Sequence, residues 1–381
     1  MTVTHVVGAR PNFMKAAPVV AALERRGVSQ RLVHTGQHYD RNMSAVFFDE
    51  LGLPAPDVNL GVGSASHARQ TAEAMVALEA ELDAHRPDLL LVYGDVNSTL
   101  AASLVAAKLG VRLGHVEAGL RSGDRAMPEE INRIVTDRLA DLLFTPSVDG
   151  NENLVREGVD PSRIHLVGNV MIDTLVRLQP QAEARWPALA QAHGVEAGRY
   201  VLVTLHRPRT VDDPDVLGPI LAVLDRLADR LPVVFPVHPR TRARIDAAEA
   251  APDNVLLVEP AGYLDFLALE SRAALAITDS GGVQEETTYL GVPCLTVRPS
   301  TERPITATVG TNRIVGLDAG LLERLALDAL DHTPPARGRP ILWDGQSGER
   351  VAAIIDSNDG HSTTVRGACG GFGRTPSATT S

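Results

Sequence analysis

The feature that most restricts this chain is an alternation. Strand-length apolar runs, rich in Val, Leu and Ile, are separated by segments of helical period. Candidate strands lie at 2–7, 31–35, 88–93, 112–117, 142–146 and 163–167, then at 200–205, 232–237, 254–258, 273–278, 292–297 and 313–316. Near-continuous apolar runs suit parallel strands covered on both faces. Between them, 67–85 sets Ala68, Thr71, Met75, Leu78 and Leu82 on one stripe, and 216–230 does the same with Val216, Ile220, Leu224 and Leu227. Such strand–helix–strand alternation builds parallel α/β sheets. The two series are separated by 177–199, a polar, Ala-rich stretch with Pro180, Pro187 and Gly194 and no strand signal. We place a domain boundary there, giving residues 1–176 and 177–346, each the size of one doubly wound unit. Residues 357–381, dominated by Gly, Ser and Thr, read as a disordered tail.

Composition narrows the function. The net charge is −11 and only 4% of residues are aromatic. Nucleic-acid binders are ordinarily basic, and single-strand platforms are aromatic, so neither class fits. No apolar run approaches the ~18 residues of a membrane span, and no basic-then-apolar leader opens the chain. Cys294 and Cys369 are too few for a disulfide framework or a zinc cluster. The expected location is therefore cytoplasmic. Of 36 basic residues only Lys15 and Lys108 are lysines, which marks Lys15 as a position where a compact point charge is wanted, unless chance placed it there. Dinucleotide, P-loop, zinc-protease and serine-hydrolase signatures are all missing. Gly8-Ala9-Arg10-Pro11, not a G-x-G-x-x-G, follows the first strand.

Three local signals remain. Thr278-Asp279-Ser280-Gly281-Gly282-Val283-Gln284-Glu285-Glu286 follows a strand and opens a helix. Its glycines admit close backbone approach, and free N–H groups at a helix start attract anions. It reads either as a diphosphate cradle or as an ordinary strand-to-helix turn capped by Ser280. Glu286, one turn in, suits an acceptor for ribose hydroxyls or a dipole-stabilising acid. The second signal is cationic: Arg10 with Lys15, His206 with Arg207, and His238 follow strand ends, where open parallel sheets bind ligands, and Arg303 and Arg313 lie late in the second half. The third is acidic. Asp95 and Glu117 end two strands of the first half, and Glu129 follows in Met127-Pro128-Glu129-Glu130. Carboxylates beside a phosphate cradle suggest acid–base work on a sugar, because one can be kept protonated while another is ionised. Alternatively, Asp95 and Glu117 cap the helices that follow.

Taken together these stretches resemble the non-hydrolysing UDP-N-acetylglucosamine 2-epimerases. The matching segments are Gly8–Pro18, Thr35–Asp40, Gly94–Thr99, Gly114–Asp124, Pro128–Arg133, Thr204–Arg207, Pro236–Pro239, Thr278–Glu286 and Thr301–Pro304, in family order. The resemblance implies a GT-B arrangement, two Rossmann-like doubly wound domains with a cleft between them, and a C-terminal helix, here 347–356, that crosses back to the first. It implies interconversion of UDP-GlcNAc and UDP-ManNAc by elimination of UDP to a 2-acetamidoglucal and re-addition, with no redox cofactor or metal, in a homodimer. Asp95, Glu117 and Glu129 match the family's catalytic acids. Arg10, Lys15, His206, Ser280, Gly281, Gly282, Glu286 and Arg303 match its nucleotide-binding positions, and Phe266 matches a residue near uracil. Gln37, Arg69, Gln70, Arg207 and His238 match positions that bind a second UDP-GlcNAc as activator.

The chain departs from the family pattern at Asn12, where many members carry Glu, at Asp40, and at Pro208-Arg209-Thr210, where Glu-Asn is usual. The last two bear on activation. A GT-B glycosyltransferase using a UDP-sugar, a hydrolysing epimerase releasing ManNAc and UDP, and a non-catalytic nucleotide-sugar sensor are the alternatives. The acidic trio counts against the transferase and the sensor. The chain is too short for the fused kinase that hydrolysing relatives often carry.

Overall fold

The computed structural model describes residues 1–36, 48, 50–247, 251–332 and 338–359. Two wholly parallel sheets carry the fold. The first contains β1 (Thr2–Val7), β2 (Ser29–His34), β3 (Val58–Asn59), β4 (Leu89–Tyr93), β5 (Arg112–Val116), β6 (Leu142–Thr145) and β7 (Ile164–Leu166), in the order β3-β2-β1-β4-β5-β6-β7. The second contains β8 (Val201–Thr204), β9 (Val233–Pro236), β10 (Leu256–Val258), β11 (Leu275–Thr278), β12 (Cys294–Thr296) and β13 (Asn312–Ile314), in the order β10-β9-β8-β11-β12-β13. Every strand expected from the sequence is present within a residue or two at each end. The two-residue β3, too short to show a period, is the exception. It pairs with β2 through Val33 and Val58.

Each sheet reverses its strand order once, between β1 and β4 and between β8 and β11. Val3 pairs with Leu89, and Leu275 with Val201, at those two junctions. A crevice opens outside the carboxyl ends of the strands at such a reversal. The segments leaving it are Gly8–Arg10 and Gly94–Asp95 on one side and Leu205–His206 and Asp279–Ser280 on the other. The strand cores are aliphatic: Leu89 to Tyr93 is wholly buried, as parallel strands with helices on both faces require.

Two segments join the sheets. The helix Val170–His193 starts at Asn169, whose side chain accepts from the Met171 amide at 2.9 Å, and ends on Gly194 in the left-handed region at φ 62°. It runs through Pro180 and Pro187, across the stretch that the sequence marks only as polar and strandless. Its first half is buried, in one core with the helix Arg10–Arg25 and with Leu264, Leu267 and Ala268 of the helix Tyr263–Glu270. The second segment is the return strap 338–346, followed by the helix Ser347–Asp359, which lies on the helix Arg10–Arg25. Trp343 is buried, and its Nε1 donates to the Pro146 carbonyl at 2.9 Å. The Gly348 amide donates to Asp173 at 2.7 Å, and Arg25 bonds Glu349. Gly168 is needed beneath the strap: at φ 90° a Cβ there would stand 2.1 Å from the Leu342 carbonyl oxygen. The helix extends to Asp359, three residues into the segment read as a tail; 360–381 lie outside the described residues. Among the described residues no helix is long and apolar enough to cross a membrane.

Because Trp343 fixes the strap with both its ring and its N–H, Trp343→Ala is expected to lower stability by about 3–5 kcal/mol. Urea unfolding followed by circular dichroism checks it.

Candidate active site between the two sheets

The crevices of the two sheets meet across a cavity of about 330 Å³. One wall is the start of the helix Arg10–Arg25, with Lys15. The other is the start of the helix Gly281–Leu290, with Ser280, Gly282, Glu285 and Glu286. Arg303 reaches in from the second sheet, and Tyr263 and Phe266 also line it. Ser280 stands at the N-cap position but makes no capping bond with its hydroxyl. Its amide donates to the Thr278 hydroxyl at 2.9 Å. The capping reading is therefore replaced by a hydroxyl at the cavity wall. Asp279, fully buried, accepts from the amides of His206 and Arg207 at 3.1 and 2.9 Å. It pins the turn after β8 to the turn after β11, which sets where His206 leaves the sheet.

Glu117 leaves the end of β5 with φ 75°, in the left-handed region that non-glycine residues avoid. That strain turns its carboxyl into the space between the sheets. There one oxygen accepts from Lys15 Nζ, and the other from Arg303 NH2 at 2.9 Å. Arg303 also meets Glu285 at 2.8 Å and Glu302 at 2.5 Å. Burial opposes charge on Arg303, yet Glu285, Glu302, Glu117 and Asp95 together push its pKa above the ordinary value. Glu302 in turn is held by Arg298 at 2.7 Å and by Arg207 at 3.7 Å. Burial raises Glu302, but Arg303, Arg298 and Arg207 outweigh it and bring its carboxyl well below the usual range.

Asp95 sits at the turn after β4. It accepts from Arg133 Nε at 2.9 Å. The helix Asn97–Leu109 is capped by position at Val96, so Asp95 is not its cap. Burial raises Asp95, while Arg133, Lys15 and Arg303 bring it below its ordinary value, so it is ionised at neutral pH. The turn beneath it is fixed by His115, whose ring nitrogens meet Asp137 at 2.6 Å and the Gly94 carbonyl at 2.8 Å. Glu285 behaves oppositely. Burial, with Glu117 adding to it against Arg303, pushes it up to about 7. Glu286 rises to about 7 by burial, against the Tyr263 hydroxyl that donates to it at 2.9 Å. The cleft thus holds ionised and protonatable carboxyls side by side.

The other expected residues distribute as follows. Glu129 is half-buried in the first turn of the helix Pro128–Leu139, and among the described residues no hydrogen bond or ion pair ties it to Asp95 or Glu117. His206 stands beside Asp279 at 3.2 Å, its side chain 44% exposed and the rest covered by protein. Burial of its ring, partly offset by Asp279, lowers its pKa. Gly281 backs the Arg303 guanidinium: a Cβ there would lie 2.5 Å from NH1. The side chain of Arg10, and all of Gln37 and Asp40, lie outside the described residues. Gln70 is spent on Asn97 and the Gly63 carbonyl, each at 2.8 Å, and Arg69 pairs with Glu73 on an exposed helix face. Arg207 points to Glu302, and His238 is exposed at the end of β9.

Sequence reasoning did not single out Glu285, Glu302, Asp279, Tyr263 or the Glu130–Arg133 pair. Glu130 and Arg133 are three apart on one helix face, a spacing that signals a pair. The others carry no periodic mark.

Gly94 supplies the clearest local test. At φ 61°, a Cβ there would stand 2.7 Å from Lys15 Nζ and 3.0 Å from Glu117 Oε2. Gly94→Ala is expected to cost about 1–3 kcal/mol through backbone strain alone, with a lowered urea midpoint as the readout.

The family model described as UDP-N-acetylglucosamine 2-epimerase matches residues 21–356. The chain is 39% identical over 363 residues to a UDP-N-acetylglucosamine 2-epimerase of Methanocaldococcus jannaschii, covering 93% of this chain and 99% of that one. It is 40% identical over 359 residues to a UDP-2,3-diacetamido-2,3-dideoxy-D-glucuronate 2-epimerase of Pseudomonas aeruginosa, covering 93% and 99%. The crystal structure of the M. jannaschii enzyme in complex with UDP-GlcNAc and UDP superposes with a TM-score of 0.85 at 38% identity, covering 94% of this chain and all of that one. A glycotransferase of kitacinnamycin, 16% identical with a TM-score of 0.57 over 93% and 98% of the two chains, shares the fold alone. With its GT-B pair of Rossmann-like sheets and this match over most of its length, the chain belongs to the UDP-N-acetylglucosamine 2-epimerase family.

Proposed function

We propose that this protein is a non-hydrolysing UDP-GlcNAc 2-epimerase that eliminates UDP to a 2-acetamidoglucal and adds it back on inversion at C2. The observation that carries the reading is the bridge Lys15–Glu117–Arg303, a strained carboxylate of one sheet held by a cation from each wall of the cavity. The reading divides the chain into an acid-bearing domain, 1–176, and a UDP-binding domain, 177–346. The M. jannaschii and Neisseria meningitidis relatives, whose structures are described with UDP-GlcNAc bound, support the substrate class.

The chemistry explains why such a bridge is useful. The sugar C2–H has no neighbouring carbonyl and is a poor acid. It becomes acidic only as the C1–O bond to UDP breaks and C1 gains cationic character. A site for this must stabilise a departing diphosphate and present carboxylates at C2. Lys15, Arg303 and the amides at the start of the helix Gly281–Leu290 suit the first task. Asp95, Glu117 and Glu129 suit the second. Asp95, held ionised by Arg133, fits proton removal. Elimination takes the C2 proton to a carboxylate and the C1–O electron pair to UDP. Return of a proton on the other face, with re-addition of UDP at C1, closes the cycle. The similar match to the P. aeruginosa enzyme favours a second reading, the same reaction on a UDP-2,3-diacetamido uronate.

Incubation with UDP-GlcNAc in heavy water, followed by proton NMR, is expected to yield UDP-ManNAc carrying deuterium at C2. Free ManNAc with UDP would overturn the non-hydrolysing reading. Unchanged UDP-GlcNAc, with turnover of the diacetamido uronate instead, would establish the second. Glu117→Gln is expected to lose ~10²–10⁴-fold in kcat, the usual contribution of a positioned acid or base. A near-normal rate would remove Glu117 from the chemistry.

A further inference from the structure

Behind Glu286 lies a carboxyl that the proposed reaction does not use. Glu270, at the end of the helix Tyr263–Glu270, is 0% exposed. Neither of its oxygens meets a hydrogen-bond donor, and no cation pairs with it, among the described residues. What it faces is another carboxyl, that of Glu286, within hydrogen-bonding contact. The other titratable groups around it are Tyr263 on its own helix, Tyr200 before β8 and Cys294 in β12. None of these carries positive charge. Arg272, whose charge acts on Tyr200, is exposed to solvent.

Two buried carboxylates cannot face each other as anions without a counter-charge. Two carboxyls also cannot hydrogen-bond unless one keeps its proton. Glu286 already accepts from the Tyr263 hydroxyl at 2.9 Å and lines the cavity, whereas Glu270 has no other partner. We propose that Glu270 and Glu286 share one proton, which Glu270 holds and donates, so that Glu286 meets the cavity as a negatively charged acceptor for the vicinal hydroxyls of a nucleotide ribose. Glu270 is then a positioning residue, acting through Glu286. The ligand class rests on the function proposed above; the shared proton does not. Burial first, and the neighbouring Glu286 second, raise the Glu270 pKa well above the ordinary carboxylate value, in keeping with Glu270 as the proton holder.

The consequence is an alkaline limb. Once the shared proton is lost, two buried anions repel and Glu286 loses its fixed orientation. Ribose recognition then falls by about tenfold per pH unit, the linkage of one proton. The diphosphate contacts at Lys15 and Arg303 do not involve this proton.

Calorimetric titration of the full chain with UDP and, separately, with inorganic pyrophosphate across pH 6–9.5 tests this. UDP affinity is expected to fall at alkaline pH more steeply than pyrophosphate affinity. In Glu270→Gln, whose amide donates without titrating, the two are expected to run parallel, with the change in turnover assays appearing in KM rather than kcat. An alkaline limb for UDP that is the same in wild type and Glu270→Gln would overturn the proposal. Infrared spectroscopy of the ligand-free wild type gives a second readout, independent of the substrate reading and of how the variant folds. A protonated-carboxyl C=O stretch at neutral pH, lost on raising the pH, is expected, and its absence would also overturn the proposal. If neither UDP nor pyrophosphate binds at any pH, the functional reading fails and the infrared band alone decides the shared proton.

Discussion

The contact on which the site depends is the hydrogen-bonded bridge from Lys15 through Glu117 to Arg303. It is buried, it spans the two sheets, and it is wired into further charges: Glu285 and Glu302 on Arg303, and Arg298 and Arg207 on Glu302. Charges removed from water are costly, and a buried pair stabilises little against a well-packed apolar substitute. Deleting one partner is different, because the remaining charge is stranded, typically at about 3–5 kcal/mol. A network of this kind is therefore better understood as a device for position than for stability. It fixes where a carboxylate stands relative to two cations at the mouth of an anion-attracting helix. The positive φ of Glu117 fits the same account, since strained backbone persists where the surroundings over-determine it.

The fold explains why these groups meet. Each sheet has one strand-order reversal, and the four segments leaving the two reversals are those that bear or flank Lys15, Asp95, His206 and Ser280. Asp279 ties the two segments of the second sheet together, and His115 supports the Gly94 turn of the first. Small residues sit where side-chain tips need room: Gly94 beneath Lys15 and Glu117, Gly281 against Arg303.

Much of this was legible in the residues. Parallel strands buried on both faces write themselves as continuous Val/Leu/Ile runs, so all but the two-residue β3 could be read directly. Strand ends also located Asp95, Glu117, His206 and the Ser280 loop, because parallel topology sends every strand end to one side. The helix Val170–His193 was hidden by its two prolines and by an exposed second half that dilutes its period. The Arg303–Glu117 bond joins residues 186 apart in sequence, and no local pattern encodes such a pairing. Glu285 and Glu270 were opaque for a related reason. An acid on a helix normally signals water, and only the assembled structure reveals that both are sealed from it.

The strap that returns from the second sheet to the first has a mechanical consequence. The backbone passes between the lobes twice, once after the helix Val170–His193 and once through 338–346, and Trp343, Gly348 and Asp173 anchor the second passage. A body tethered at one point can swivel freely, but one tethered at two turns about the line between them. Any rotation of one lobe on the other would be confined to that line, like a door on two pins, and would carry the Arg303 side toward or away from the Glu117 side along one path.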